Sequence, residues 1–158
     1  MGLSRLTAFL RRHRLIALDT SVCIYQLEAN PRYLPLTDPI FSWLEKPDSR
    51  AVTSTITMTE LLVHPYRDST AQLVDEFYGL LSTYPNLRWI APGLEIADLA
   101  ARFRALHRLK TNALPTLAPP DALQAATAAH ACATGLITND PVFERVELFE
   151  TLVLERLL

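Results

Sequence analysis

Five short apolar runs, each standing apart from its neighbour by a stretch of helical period, constrain this chain more than any other feature. Residues 15–18, 51–54, 88–91, 135–138 and 148–154 read as strands, because β-branched, aromatic and aliphatic residues dominate each short run. The intervals 21–28, 38–45, 57–64, 69–84, 94–109 and 119–133 repeat apolar residues at the spacing of a helix face. Strand then helix, repeated along the chain, predicts an α/β domain with a mostly parallel central sheet of four to five strands. Prolines supply the punctuation: Pro31, Pro35 and Pro47 are assigned to turns, and 111–118 to a connector, since Pro115, Pro119 and Pro120 cannot prolong the preceding helix. Neither a repeat nor a linker divides the chain, and 158 residues suit one domain spanning 1–158, with 1–14 as a basic N-terminal extension.

The extension owes its charge to Arg5, Arg11, Arg12 and Arg14, whereas Asp140, Glu144, Glu147, Glu150 and Glu155 crowd the other end. Those charges nearly cancel to a formal net of -2, so no global basic field marks the chain as a nucleic-acid binder, and any such contact must come from local patches. Only Cys23 and Cys132 are present, both on apolar helical stretches; buried, reduced thiols are expected rather than a disulfide framework, which favours a cytoplasmic location. No run approaches the 18 apolar residues that would span a bilayer, and no cleavable leader is evident, so neither membrane nor secretion is expected.

In a parallel sheet all strands end on one edge, and ligands bind in the crevice outside those ends. Asp19 directly follows the first strand and Asp140 closely follows the fourth. Helices returning across the sheet begin on this same edge, and Glu60 and Asp121 fall in or near the first turns of two of them. Four carboxylates therefore converge by topology. At a separation of about 6 Å and an effective dielectric near 20, each pair of charges repels by roughly 3 kcal/mol, so such a cluster needs protons or cations. Carboxylate oxygens suit hard ions, Mg²⁺ or Mn²⁺, and no close His/Cys set invites zinc. One or two such ions can activate water and neutralise charge on a scissile phosphate, which makes phosphodiester hydrolysis the natural chemistry.

Each acid has an ordinary alternative when taken alone. Asp19 can be an N-cap, Glu60 and Asp121 early-turn acids favoured by the helix dipole, and Asp140 before Pro141 a turn residue. The alanines 122, 125, 126, 128 and 129 read as a packing face. Taken in order, however, Leu18-Asp19-Thr20-Ser21, Thr59-Glu60-Leu61, the run from Pro120 and Asp121 through Ala128, and Leu136 through Phe143 with Thr138, Asn139 and Asp140 at its centre resemble the PIN-domain nucleases. The likeness is greatest to the VapC-type toxins of bacterial toxin–antitoxin pairs, and runs from about Ile16 to Leu154. The resemblance implies a three-layer α/β/α sandwich, Mg²⁺- or Mn²⁺-dependent endoribonuclease activity on RNA, a cognate antitoxin and a homodimer. It also implies that Asp19, Glu60, Asp121 and Asp140 hold the metal, with Thr20, Ser21, Thr138 and Asn139 as supporting polar residues. The connector between His107 and Pro120 and the segment before Ile16 depart from the family pattern.

Arg102, Arg104, Arg108 and Lys110 form an acid-free basic helix end that could hold an RNA backbone, or could simply complement the helix dipole. His64 and His130 are isolated and read as partly buried, and Trp43 and Trp89 as packing anchors. Two rival functions follow from the same residues. One is a catalytically silent PIN-fold module that binds RNA or protein; the other is a phosphatase with Asp19 as nucleophile, disfavoured because Ser21 stands where its second acid belongs.

Overall fold

The computed structural model describes residues 1–68, 71–110 and 117–158, with side chains at all of these except 107–110. The anticipated connector at 111–118 thus lies largely outside the described residues. Five strands, β1 (Ile16–Leu18), β2 (Ala51–Ser54), β3 (Leu87–Ile90), β4 (Gly135–Thr138) and β5 (Glu150–Val153), form one sheet in the order β3-β2-β1-β4-β5, and every neighbouring pair is parallel. Strand order reverses at β1: the chain builds outward to β3, then crosses over to β4 on the other side. Crevices form at such a reversal, because the helices leaving the two central strands go to opposite faces.

Alternate residues of each strand feed two cores, as strand pleating requires. On one face Ile16, Leu18, Ala51, Leu87 and Ile137 pack with large side chains of α2 (Thr20–Leu27), α3 (Leu34–Leu44), α4 (Ile56–Arg67) and α5 (Ala71–Ser82). On the other, Ala17, Val52 and Leu136 meet α6 (Leu94–Lys110) and α7 (Pro119–His130). The architecture is a three-layer α/β/α sandwich. Ala122, Ala125, Ala126 and Ala128 of α7 are wholly buried, so the expected alanine face is core. Small side chains bring this helix close to the sheet, and with it Asp121 in its first turn.

The N-terminal extension is not a loose basic arm. Gly2–Arg12 form a helix, α1, that buries Leu6, Phe9 and Leu10 against the first core, while its arginines face solvent. It docks on the last turn of the chain: Arg5 donates to the Arg156 carbonyl (3.3 Å), and a Cβ at Gly2 would stand only 1.9 Å from the Leu157 carbonyl oxygen. His13 bridges Thr134 and Glu150 at 2.9 Å each, and Arg12 closes an ion pair with Glu150.

Other expectations need correcting. Pro35 lies in the first turn of α3, which starts at Leu34 rather than at 38; Pro is tolerated there because the first helical amides need no intrahelical acceptor. Cys23 is buried as expected, but Cys132 is exposed in the left-handed turn (φ 60°) that ends α7. His64 and His130 are exposed too, since both sit in last turns where the helices leave the core. Trp43 and Trp89 pack half-buried on the first core. Among the described residues no helix is long and apolar enough to cross a membrane.

Candidate active site

Asp19 leaves the end of β1 at the position of an N-cap for α2, yet its side chain makes no cap bond. Its Oδ2 instead accepts from the hydroxyls of Thr138 (2.8 Å) and Ser21 (3.2 Å). Those two hydroxyls also accept, from the backbone amides of Asp140 (3.0 Å) and Asn139 (3.1 Å). Thr138 and Ser21 therefore tie the ends of β1 and β4, and the acids they carry, together. Asp140 does what an ordinary turn residue does: its Oδ1 caps the following 3-10 turn through the Val142 amide (2.9 Å). Its second oxygen makes no such bond.

Glu60 projects from the second turn of α4 and accepts from the Thr20 hydroxyl (3.2 Å). Behind that contact lies a wholly buried polar cluster that sequence reasoning missed. Gln124, only 4 % exposed, donates its amide to both Thr20 (3.2 Å) and Thr57, while Thr57 and Thr53 stand 2.9 Å apart and Thr53 donates to the Leu18 carbonyl (2.9 Å). Gln124 can only donate through its nitrogen, and Thr53 spends its proton on a carbonyl. Thr20 donates to Glu60, while Thr57, 3.1 Å from Thr20 and 2.9 Å from Thr53, can donate to either. The amide thus feeds a buried hydroxyl cluster that reaches a carboxylate. A single large polar residue among the alanines of α7, three positions after Asp121, was the signal available in the sequence.

The charges feel one another. Burial pushes the Asp19 carboxyl above its ordinary range, opposed by the Thr138, Thr20 and Ser21 hydrogen bonds, with the Asp140 charge adding to the rise. Glu60 is raised by partial burial and by Asp19, against the Thr20 bond. Asp121 is pushed to about 6, first by burial and then by Asp19, Asp140 and Glu60 together. Asp19 also helps burial raise the Cys23 thiol to about 12, so this cysteine is inert at neutral pH. The ion pairs of the described residues employ other acids, Glu150, Glu155, Asp98, Glu144 and Glu95. The fold therefore gathers all four predicted acids on one edge, within range of mutual repulsion. As the side chains stand, however, no three His, Cys, Asp or Glu among the described residues close around a common ion. Asp19, Asp140 and Glu60 are held by hydrogen bonds, Glu60 being exposed and Asp121 half-buried.

The remaining predicted residues sit as follows. Asn139 turns away from the acids: its amide donates to the hydroxyls of the stacked Tyr25 and Tyr33 (2.9 and 3.0 Å), and its oxygen accepts from the Glu155 amide (2.8 Å). It holds the C-terminal turn against the β4 loop, a role no local pattern announces. Arg102 pairs with Asp98 one turn earlier in α6, and Arg104 donates to the Leu117 carbonyl (3.0 Å), so both are engaged within the protein. The side chains of Arg108 and Lys110 lie outside the described residues.

An all-parallel five-stranded sheet with carboxylates gathered at its strand ends defines a class of α/β domains built to bind at that edge. Residues 16–148 match the PIN domain family model, and the chain belongs to that family. Solved structures with the same fold include VapBC2 from Rickettsia felis bound to a promoter DNA fragment, with a TM-score of 0.66 and 16% identity over 88% of this chain and 98% of that one. VapBC-1 from nontypeable Haemophilus influenzae aligns at 0.65 and 22% identity, over 89% and 98%. The Mycobacterium tuberculosis toxin VapC20, described as cleaving the sarcin–ricin loop, aligns at 0.61 and 16% identity, over 84% and 95%. Compared with curated protein sequences, the chain has no significant match.

Proposed function

We propose that this protein is a divalent-metal-dependent endoribonuclease and the toxin of a toxin–antitoxin pair. The observation that carries the reading is the set of four carboxylates at one sheet edge, with Asp19, Glu60 and Asp121 each raised first by burial and then by a neighbouring acid, and none of the four in an ion pair among the described residues. A donor set made only of carboxylate oxygens fits a hard cation such as Mg²⁺ or Mn²⁺. Asp19, Glu60, Asp121 and Asp140 would hold it, one ion or two. When bound, such a cation supplies charge neutralisation at the scissile phosphate and activation of an attacking water.

The chain's own residues do the rest. Thr138 and Ser21 aim Asp19 and favour its ionised form by donating to it, opposing the burial that raises its carboxyl. Thr20, itself accepting from Gln124, donates to Glu60 in the same sense. Asp121 is the group left with unrelieved repulsion, and its partial protonation near neutrality is what a cation would displace.

RNA as substrate and an antitoxin as partner are supported by the described activity of VapC20 and by the VapBC assemblies among the structural relatives. A protein partner also suits a cavity of about 920 Å³ between α4, α5 and β3, lined by Met58, Leu62, Tyr66, Tyr78 and Trp89, where Tyr66 and Tyr78 are 67 % and 55 % exposed. One domain, a homodimer and a cytoplasmic location complete the reading. The test is cleavage of RNA by the purified, antitoxin-free protein with Mg²⁺ or Mn²⁺, compared with Asp19→Asn. Loss of at least about a hundredfold is expected, since even partners behind metal ligands cost 10–100-fold; undiminished cleavage by the variant overturns the assignment.

A silent PIN-fold binding module is the second reading, favoured by the absence of three acids around one point among the described residues. Calorimetric titration with Mn²⁺ separates the two: the nuclease takes up metal stoichiometrically and loses that uptake in Asp121→Asn, whereas the module shows none.

A further inference from the structure

The amino edge of the same sheet carries the opposite charge. Arg14 precedes β1, Arg50 directly precedes β2, and Arg88 is the second residue of β3. Register aligns Ile16 with Ala51 and Ala51 with Leu87, so three adjacent strands deliver one arginine each to a single place. There they line a cavity of about 540 Å³ whose floor is Leu15, Val52 and Leu87. All three arginines are exposed, and none of their side chains has a hydrogen bond or ion pair among the described residues. Elsewhere the chain neutralises its arginines readily: Arg12, Arg32, Arg102 and Arg156 each close on a carboxylate. Asp48 lines an adjoining cavity of about 270 Å³ with Arg14 and Arg50, yet among the described residues it pairs with neither.

The site is also braced. Asn86, in the left-handed region at φ 59°, donates its amide to the carbonyls of Leu44 (2.6 Å) and Lys46 (3.0 Å), fastening the loop that leads into Arg50 against the start of β3. Guanidinium groups match phosphate oxygens in bidentate pairs, and three around one concavity repel until an anion sits between them. The ends of α3 and α7 reach the same edge through Leu44 and Ala131, and helix carboxyl ends by themselves favour cations. That role would stabilise the protein without binding anything, and it is the alternative a test must separate.

We propose that this arginine-rimmed cavity binds a run of phosphate groups, carried by single-stranded RNA or by a free nucleoside triphosphate. The inference goes beyond the nuclease reading and does not depend on it, since the acids lie at the other end of every strand. Its test is binding in EDTA, where cleavage is silent, using a fluorescein-labelled twelve-nucleotide single-stranded RNA by anisotropy and ATP by calorimetry. Wild type is compared with the triple variant Arg14→Ala/Arg50→Ala/Arg88→Ala. A drop of at least tenfold for either probe supports the site, loss for RNA alone identifying the polymer backbone and loss for ATP alone a free nucleotide. Should the triple variant not fold, Arg50→Gln serves, with about a threefold loss and, for RNA, a log–log salt slope shallower by about 0.7, the value of one phosphate contact on a single strand. Failure of the wild type to bind either probe, or equal binding by wild type and variants whatever happens to thermal stability, overturns it.

Discussion

At the carboxyl edge of the sheet, the acids surround a buried Asp19 and are held by Thr138, Ser21, Thr20 and, at one remove, Gln124; at the amino edge, the Arg14, Arg50 and Arg88 side chains stand in solvent around a cavity with no hydrogen bond among the described residues. Both edges gather like charges, but burial makes the first arrangement expensive and water makes the second cheap. Repulsion between exposed guanidiniums is screened within a Debye length of about 8–10 Å at ordinary salt, whereas repulsion among half-buried carboxylates is not. A charge cluster that persists despite its cost has the stronger claim to chemistry, and a cheap cluster to reversible, salt-sensitive binding.

The comparison is broken most severely by Asp19→Asn, which should abolish cleavage, at least about a hundredfold. Next comes Gln124→Leu. It takes away a donor to the Thr20 hydroxyl, and should lower cleavage by roughly 10–100-fold, as outer partners of metal ligands do. Removing the acceptor of the buried Ser54 amide and a donor to Thr20 and Thr57 should cost about 1–3 kcal/mol as well. Cleavage rate against Mn²⁺ concentration, alongside urea unfolding, checks both parts; a stability loss with an unchanged metal response would reduce Gln124 to packing.

Asp121→Asn should act in opposite directions on activity and stability. The Asp121 carboxyl binds its proton more tightly folded, near pH 6, than unfolded, at its ordinary 3.8. Its contribution to stability is therefore full below the unfolded value and is lost as pH rises through about 6. Metal-free wild type should thus weaken between pH 4 and 7 relative to Asp121→Asn, and at pH 7 the variant should melt higher by about 2–4 °C, the shift expected of 1 kcal/mol in a chain this long. Added Mg²⁺ should erase the difference. Parallel melting curves in EDTA would show that the acids do not repel one another. Smallest is Arg50→Gln: stability should change by no more than about 0.5 kcal/mol, as for most surface substitutions. A large change would mean that the amino edge is not the cheap one.

Much of this was legible residue by residue. The five strands and the parallel sheet were, because fully buried strands must be written as unbroken apolar runs, as in Ile16–Leu18 and Gly135–Thr138. The edge on which the four acids lie was equally legible, being a consequence of parallel connectivity. The α1 helix was not, since five basic residues in the first fourteen, Arg5, Arg11, Arg12, His13 and Arg14, hid the Leu6, Phe9 and Leu10 stripe, and its partner is the distant turn around Leu157. Gln124 was overlooked among alanines because its value lies in Thr20, Thr57 and Ser54, drawn from three other elements.

Sequence alone determined which elements form and on which end of the sheet each charge emerges, for hydrophobic period and strand direction are local properties of the chain. How near the carboxylates come, which hydroxyl donates to which acid, and whether an arginine finds a partner were decided only by the tertiary structure. Those outcomes depend on burial and on hydrogen-bond direction between residues far apart in the chain, 119 positions for Thr138 and Asp19 and 138 for Arg12 and Glu150, and no local pattern encodes them.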